Sequence, residues 1–353
     1  MRKKITIIAI LNWLILNTIF AFNRQDTIIY SGYAELYYAY DFTNPTNHLR
    51  PNFTYNHVRH NEININLATA KVAYSAENIR ANFTAMFGNY AEYNLSSEPG
   101  WAQFVYEANI GVKLSQKHNL WLDAGIMPSH LGFESAIGAD CWTLTRSILA
   151  ENSPYYETGL KLSYTNPSEK FFAAFYYLNG WQKIAKIDFA QKPSIGMQFT
   201  YKPHSNLSFN YSNFIGSTLP DSMKNWRLFH NLYAIYEPTA KLSFVAGFDF
   251  GNDFNPNSKN YLWFSPVFIT KYKWNKKIQT AARIEYYADP NNVIISQDYP
   301  SFKVFGASFN LDYQIHNKVL WRNEIKYYQN PTAIFLNNNR QNTVLTTALC
   351  IRL

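Results

Sequence analysis

Apolar and polar residues alternate most regularly between Ala102 and Met127. From Ala102 to Leu114 every second residue is apolar, and the residues between them are mostly polar or small. After a polar turn from Ser115 to Asn119, the alternation resumes at Leu120. A period of two is typical of a β-strand with one apolar and one polar face. The segment therefore predicts a hairpin of two strands about ten residues long, longer than most strands of soluble proteins.

The same hairpin pattern recurs along the chain. Short polar turns are predicted near Asn78, Gln116, Asn166, Ser205, Thr239, Lys276 and Asn317. Longer polar connections are predicted at Phe42 to His60, Gly88 to Gly100, Pro128 to Glu157, Gly180 to Pro193, Gly216 to Lys224, Asn252 to Lys259, Ala288 to Pro300 and Gln329 to Gln341. Alternating short and long connections are typical of outer-membrane barrels, whose short turns are periplasmic and whose long loops are extracellular. We predict an all-β fold, a transmembrane antiparallel up-and-down β-barrel of about 16 strands.

A β-propeller is the alternative that this spacing leaves open, because turns about forty residues apart also fit propeller blades. Each blade would need four short strands, whereas each period here contains two long ones. The chain also has no Trp-Asp dipeptide of the kind found in one class of propeller. The pattern therefore favours the barrel.

The polar face of the predicted strands carries the charged residues. A charge at the lipid midplane costs about 2 to 4 kcal/mol, so this face is expected to line a water-filled lumen. The candidate lining residues are Arg80, Glu107, Lys113, Asp123, Lys161, Asp249, Arg283, Glu285, Asp312, Arg322, Glu324 and Lys326.

In three segments, alternation alone does not decide which face points toward lipid. Phe171 to Leu178 is apolar on both faces, and Arg227 to Tyr236 would turn either His230 or Asn231 toward lipid. Pro266 interrupts another strand, where it must lose a ladder hydrogen bond or lie at a bulge. The last strand, from Asn342 to Leu353, is predicted to close the barrel against the first.

The loop from Pro128 to Glu157, called L3 below, is the longest connection and contains apolar residues. Leu144, Ile148 and Leu149 at helical spacing predict a short helix, and a loop of this composition is expected to fold into the lumen. Its charged residues are candidates for a pore constriction that would face wall residues such as Arg283 or Arg322; they are Glu134, Asp140, Arg146 and Glu151. Opposed charges across a constriction would screen solutes. Alternatively, Arg146 and Glu151 only tether the loop to the wall.

The segment from Met127 to Gly159, followed by Asn179-Gly180-Trp181-Gln182, resembles the outer-membrane β-barrel porins of the OmpL-like type. The resemblance extends over most of the chain that follows residue 21. It implies a single-chain barrel in the outer membrane of a Gram-negative bacterium and a passive pore. It implies no roles for individual residues.

The N-terminus reads as an export signal, because Arg2, Lys3 and Lys4 precede an apolar run that ends near Ala21. We expect a signal peptide at residues 1–21, Sec-type export and a barrel at residues 22–353; a retained helical anchor is the alternative. Removing the signal lowers the formal charge from +8 to +5, since 8 − 3 = 5.

The aromatic content of 18% suits the interfacial girdles of a barrel. No blocks of Lys and Arg suggest nucleic-acid binding.

Three smaller groups of residues contain side chains that could carry chemistry. His57 and His60 could approach a metal ion, but no Cys or carboxylate pair completes a ligand set. A hydrolase site could use Ser129, His130 and Glu134, although no nucleophile motif accompanies them; Cys141 and Cys350 could pair or remain free thiols. We therefore predict a protein that is not an enzyme, with no catalytic residues, no metal and no cofactor.

Two functions remain open. The first is passive diffusion of small hydrophilic solutes through a lumen narrowed by L3, and the second is a non-conducting barrel that displays loops for adhesion or partner binding. The expected partners are outer-membrane lipids, small hydrophilic solutes and the barrel-assembly machinery, without nucleic acid, and a homotrimer is one assembly compatible with the class.

Overall fold

A computed structural model describes residues 26–254, 261–295 and 301–353. The predicted signal peptide lies outside the described residues, as do residues 255–260 and 296–300 of two predicted long loops. Among the described residues, no helix combines the length and apolar character needed to span a bilayer.

Sixteen strands form one closed antiparallel barrel, as the sequence predicts. Each strand pairs with its neighbours in the chain, and β1 pairs with β16 to close the sheet. The strands are β1 Thr27–Asp41, β2 Ile63–Ser75, β3 Ile79–Phe87, β4 Val105–Lys113, β5 Asn119–Pro128, β6 Tyr156–Thr165, β7 Phe171–Leu178, β8 Ser194–His204, β9 Leu207–Gly216, β10 Trp226–Tyr236, β11 Leu242–Phe254, β12 Tyr261–Lys273, β13 Ile278–Asp289, β14 Phe302–His316, β15 Val319–Gln329 and β16 Gln341–Arg352.

The connections alternate between short and long, and all seven short turns lie where the sequence predicts them. The long loops contain the few helical turns of the described residues. These are the α-helices α1 Asn89–Asn94 and α2 Ile148–Glu151, and the 3-10 turns Ala102–Phe104, Gly138–Asp140, Asp221–Met223 and Leu336–Asn338. Helix α2 lies in L3 as expected, and the Ser147 side chain caps it by accepting a hydrogen bond from the Ala150 N–H.

Two β-bulges shift the alternation and correct the predicted orientation of several residues. The bulge opposite Glu35 and Leu36 skips Asn66 of β2, so Leu67 is buried inside, whereas strict alternation with the exposed Ile63 would place it on the lipid face. A second bulge, opposite Thr84 and Ala85, leaves Tyr106 of β4 as the extra residue, and its ring contacts the buried Tyr90. The predicted strand from Ala102 also begins later, at Val105.

The structure settles the three ambiguous segments. In β7, alternate residues are exposed on the outer face. The inner face is buried because it packs against loop residues inside the barrel; Tyr176, for example, stacks on His130 of L3. In β10, Asn231 is buried inside, whereas His230 lies on the outer face and hydrogen-bonds the Tyr211 hydroxyl at 2.8 Å. Pro266 lies on the outer face of β12.

Pro266 interrupts the pairing between β12 and β13, as expected for a residue without an N–H group. The neighbouring Ser265 hydroxyl donates to the Tyr286 carbonyl at 2.8 Å. This side-chain bond gives the carbonyl a donor at the interrupted part of the ladder.

The interior of the barrel is largely occupied by loops. Buried residues of L3 and of the first long loop, residues 42–62 or L1, join inward side chains of the strands in common apolar clusters. Phe53 of L1, for example, packs against Phe302, Tyr328 and Phe335. The strands therefore form a wall, and the loops decide how much of the enclosed space is left open.

Candidate pore and its inner surface

L3 is attached to one side of the barrel wall through its backbone. The N–H groups of Leu144, Thr145 and Ile148 donate to the side chains of Asn310, Glu324 and Glu285, at 2.9, 2.5 and 2.6 Å. These acceptors belong to β14, β15 and β13. Because the bonds use main-chain donors, they fix the position of the loop itself.

Basic side chains of the same wall bind L3 carbonyl groups. Arg322 donates to the carbonyls of Gly138 and Cys141, and Lys326 donates to the carbonyl of Arg146. Arg283 donates to the Thr145 carbonyl at 2.7 Å. Charged donors give stronger hydrogen bonds than neutral ones. The wall therefore binds both the N–H groups and the carbonyl groups of the L3 backbone.

The wall charges also pair with one another. Arg322 forms a two-point ion pair with Asp312, at 2.8 and 3.0 Å. Lys326 lies 2.8 Å from Glu285, and Arg283 lies 2.8 Å from Glu324. All six side chains are almost completely shielded from solvent. This differs from the prediction that they line a water-filled lumen, and the reason is that L3 covers them.

Asp249 of β11 is also covered. Its carboxylate accepts a hydrogen bond from Asn231, which in turn accepts one from the Gly132 N–H of L3. Asp249 is buried and lies under the loop instead of facing open water. Asn231 belongs to β10, and the Ser212 hydroxyl of β9 donates to the His130 carbonyl of L3 at 2.8 Å, so the attached side of the barrel extends from β9 to β15.

The charged residues of L3 mainly hold the loop together. Arg146 is fully buried and donates to the carbonyls of Ser135, Ala136 and Leu144, all within L3. Glu134 accepts from the N–H and hydroxyl of Ser147. Burial raises the pKa of Glu134 above its usual range. The side chain of Arg146 therefore braces L3 internally and does not tether it to the wall, whereas Glu134 lies 3.7 Å from Arg283 of β13, as expected for a loop carboxylate that faces this wall residue.

Glu151 connects L3 to L1. Its carboxylate accepts from the N–H groups of Tyr55 and Asn56 at 2.8 and 3.2 Å and from the Asn56 side chain. Burial raises the pKa of Glu151. Asp140 is exposed and forms a 2.6 Å ion pair with Arg352, near the end of β16. The four predicted constriction residues thus occupy different environments and do not form one charged ring.

The opposite side of the lumen is more open. Lys71 of β2 pairs with Glu107 of β4 at 2.6 Å, and Arg80 of β3 forms a two-point pair with Asp123 of β5, at 2.6 and 2.5 Å. Lys161 of β6 lies 3.6 Å from the same Asp123. The three cationic side chains are partly exposed, as is Lys113. Lys71 was not predicted, because the bulge in β2 changes its face.

L3 and the open wall enclose a cavity of about 400 Å³. Lys71, Thr84 and Glu107 line it from the strands, and Ser135 and Ile137 line it from L3. The loop is therefore attached to one wall and faces water on the other side, where the exposed charges lie.

The match to a family of known barrels covers nearly the whole chain. Residues 27–353 match the model described as beta-barrel porin-2, OmpL-like. The chain belongs to this porin family. It is an integral outer-membrane porin, and the predicted localisation and class are confirmed. A search of curated proteins gave no match.

Solved outer-membrane channels share the fold of this porin. The anion-selective porin from Comamonas acidovorans superposes with a TM-score of 0.62 over 93% of this chain and 100% of its own, at 9% identity. The outer-membrane channel DcaP of Acinetobacter baumannii gives 0.61 over 94% and 99%, at 7% identity. The trimer form of OmpT, an outer-membrane protein of Vibrio cholerae, gives 0.60 over 93% and 99%, at 10% identity. At such low identities the likeness is one of fold.

The residues that could form a hydrolase site make separate contacts in this porin. Both ring nitrogens of His130 are engaged, one by Glu157 at 2.7 Å and the other by the Asn213 carbonyl at 2.8 Å. Ser129 accepts from the Leu131 N–H, and Glu134 is bound to Ser147 as described. Family and fold point to a channel rather than an enzyme.

The histidines and cysteines of this porin also have distinct partners. His57 hydrogen-bonds Glu35, whereas His60 accepts from the Asp41 N–H at 2.9 Å. Cys141 and Cys350 are free and buried.

Proposed function

We propose that the protein lets small hydrophilic solutes diffuse passively across the outer membrane through the part of the lumen that L3 leaves open. The supporting observation is the unequal exposure of the two walls. Charges on β13 to β15 are covered by L3, whereas the cationic groups on β2, β3 and β6 remain in contact with water. A loop fixed to one wall narrows the path and moves it toward the other.

Solute uptake into liposomes and single-channel recording in planar bilayers test the pore. We expect swelling with small sugars and an upper size limit for larger ones. If no solute of any size passes and no channel events occur, the alternative of a non-conducting barrel that displays its loops replaces the pore.

A shortened L3 tests the constriction separately. Residues 132–152 would be replaced by a short Gly and Ser linker, which keeps the sixteen strands intact. We expect a higher single-channel conductance and passage of larger sugars than in the parent protein. Unchanged conductance in a correctly folded variant would show that L3 does not limit the path, even though the protein conducts.

We also propose that the barrel assembles as a homotrimer, for which the trimer form of the similarly folded Vibrio cholerae protein is the support. Chemical crosslinking in mild detergent, read with mass measurement of the unmodified complex, tests this. A mass of one protomer across the working concentration range would rule the trimer out.

A further inference from the structure

We infer that the open side of the lumen favours small anions, and that Lys71 and Lys161 determine this preference. The inference rests on the proposed function, because it names the class of solute that the same path would carry. It uses the contacts of the two walls and the exposure of each charged group.

Cationic groups on the open wall are exposed to water, whereas their acidic partners are covered. The side chains of Lys71, Arg80 and Lys161 are 36%, 32% and 25% exposed. Those of Glu107 and Asp123 are 8% and 5% exposed. On these strands an ion in the lumen therefore meets the ammonium and guanidinium groups before it can approach Glu107 or Asp123.

The open wall also has more positive than negative charges. Arg80 already binds both oxygens of Asp123, so the 3.6 Å contact of Lys161 with this carboxylate leaves one positive charge uncompensated. Lys113, on the same side and partly exposed, adds another. The exposed pair of Asp140 and Arg352 is neutral in sum.

The covered wall does not offset this excess. Three cations, Arg283, Arg322 and Lys326, lie among three carboxylates of the same strands, and all six are shielded by L3. Asp249 and Glu134 are buried as well. An ion in the open path therefore cannot contact these carboxylates, whereas it can contact the exposed lysines.

The chemistry of the groups suits transport better than tight binding. A Lys ammonium is a compact, strongly hydrated charge on a flexible stem, unlike the planar fork of Arg that clamps carboxylates and phosphates. Conduction needs sites that attract an ion but release it again. Small hydrated anions, such as chloride, phosphate and short carboxylates, fit the cavity of about 400 Å³ beside Lys71.

The zero-current potential of the mature protein in planar bilayers, measured across a KCl gradient, tests this inference. We expect the anion-to-cation permeability ratio to exceed the mobility ratio of the free ions. One unit charge about 4 Å from an ion in water changes its relative occupancy roughly fivefold. Because the charge raises the occupancy of an anion and lowers that of a cation, Lys161→Gln is expected to lower the permeability ratio by up to about 25-fold.

The pair formed by Lys71 and Glu107 provides changes of opposite sign. Lys71→Gln leaves a carboxylate in the lumen and is expected to lower the anion preference, whereas Glu107→Gln leaves a free ammonium group and is expected to raise it. If the pair had a purely structural role, both variants would shift the anion-to-cation permeability ratio in the same direction. Lys170→Gln, in the exposed turn between β6 and β7, is the control and should leave the ratio unchanged.

A wild-type channel that conducts with no preference for anions would overturn the inference while leaving the pore intact. Shifts of the same sign in Lys71→Gln and Glu107→Gln would also overturn it. Absence of conductance would overturn the proposed function together with this inference. Retention of the folded, heat-modifiable band on gels verifies that each variant is a barrel before its selectivity is measured.

Discussion

Arg322 illustrates how one buried residue serves both the wall and L3. Its guanidinium pairs with Asp312 and also donates to two L3 carbonyl groups. Burial of a charge is costly unless the charge is paired and hydrogen-bonded. Here all three guanidinium nitrogens of Arg322 donate hydrogen bonds. The side chain therefore contributes to the stability of the barrel and to the position of the loop.

Replacing Arg322 by Met should lower the free energy of unfolding by about 3 to 5 kcal/mol, because it leaves the Asp312 carboxylate buried without its cation. L3 should also become more mobile, which would appear as noisier single-channel current. Urea unfolding followed by tryptophan fluorescence measures the first effect. The double variant Asp312→Asn with Arg322→Met should recover much of the stability but keep the noisy current. Wild-type stability of Arg322→Met alone would contradict this account.

Glu151 predicts a pH dependence, since burial raises its pKa in the folded state. The folded protein then binds more protons than the unfolded chain between the usual pKa and the raised one. The contribution of this group to stability is full below the usual pKa and is lost as the pH rises through the raised value. The unfolding free energy of wild type minus that of Glu151→Gln should therefore fall as the pH increases from 4.5. A difference that stays flat or grows would contradict the prediction.

Single residues also show how far the sequence could predict the site. Alternation placed Arg283, Glu324 and Asp123 on the inner face, because a charge in lipid is too costly. Which of these charges remain exposed depends on where L3 lies, and that follows from contacts between residues more than 130 positions apart, such as Ile148 with Glu285. No local pattern contains that information.

At the scale of strands and turns, the period of two was a sufficient guide, and its failures are local. The turns near Asn78 and Asn317 were predicted because polar residues interrupt long alternating runs. Lys71 was missed because the extra residue Asn66 in a bulge reverses every later side chain of β2, and Tyr106 was misplaced because it is itself the extra residue of the bulge in β4. A bulge leaves little trace in the order of apolar and polar residues.

Gly125 marks a strand position that only glycine fits. Its φ is +129°, and a Cβ atom there would lie 2.2 Å from the carbonyl oxygen of Ala108. Gly125→Ala should destabilise the barrel by about 1 to 3 kcal/mol through backbone strain, with a further cost from the displaced neighbour. Gly100→Ala is the matched control, because a Cβ at that loop position meets no atom within 4 Å. Equal urea midpoints for the two variants would show that β5 adjusts without cost.

For the whole molecule, the barrel has two contrasting surfaces and a partly filled interior. Phe309, Trp321 and Leu345 are exposed on its outer face, where lipid replaces water. Inside, L1 and L3 make apolar clusters with the wall like those of a soluble core. The closed ladder of backbone hydrogen bonds joins strand to strand, so L3 can be shortened while the sheet is kept.

This separation predicts how selectivity should respond to salt. If exposed lysines attract anions through water, mobile ions screen them over a Debye length of about 10 Å at 0.1 M and about 3 Å at 1 M. The anion-to-cation permeability ratio should therefore be highest in dilute KCl and approach the ratio of free-ion mobilities near 1 M. Zero-current potentials at a fixed concentration ratio and increasing mean concentration measure this.

The L3-shortened barrel is the comparison: its wider, wetter lumen should lose selectivity at lower salt than the parent. A ratio independent of salt in both proteins would mean that passage is decided by size, with the charges of Lys71 and Lys161 playing no part.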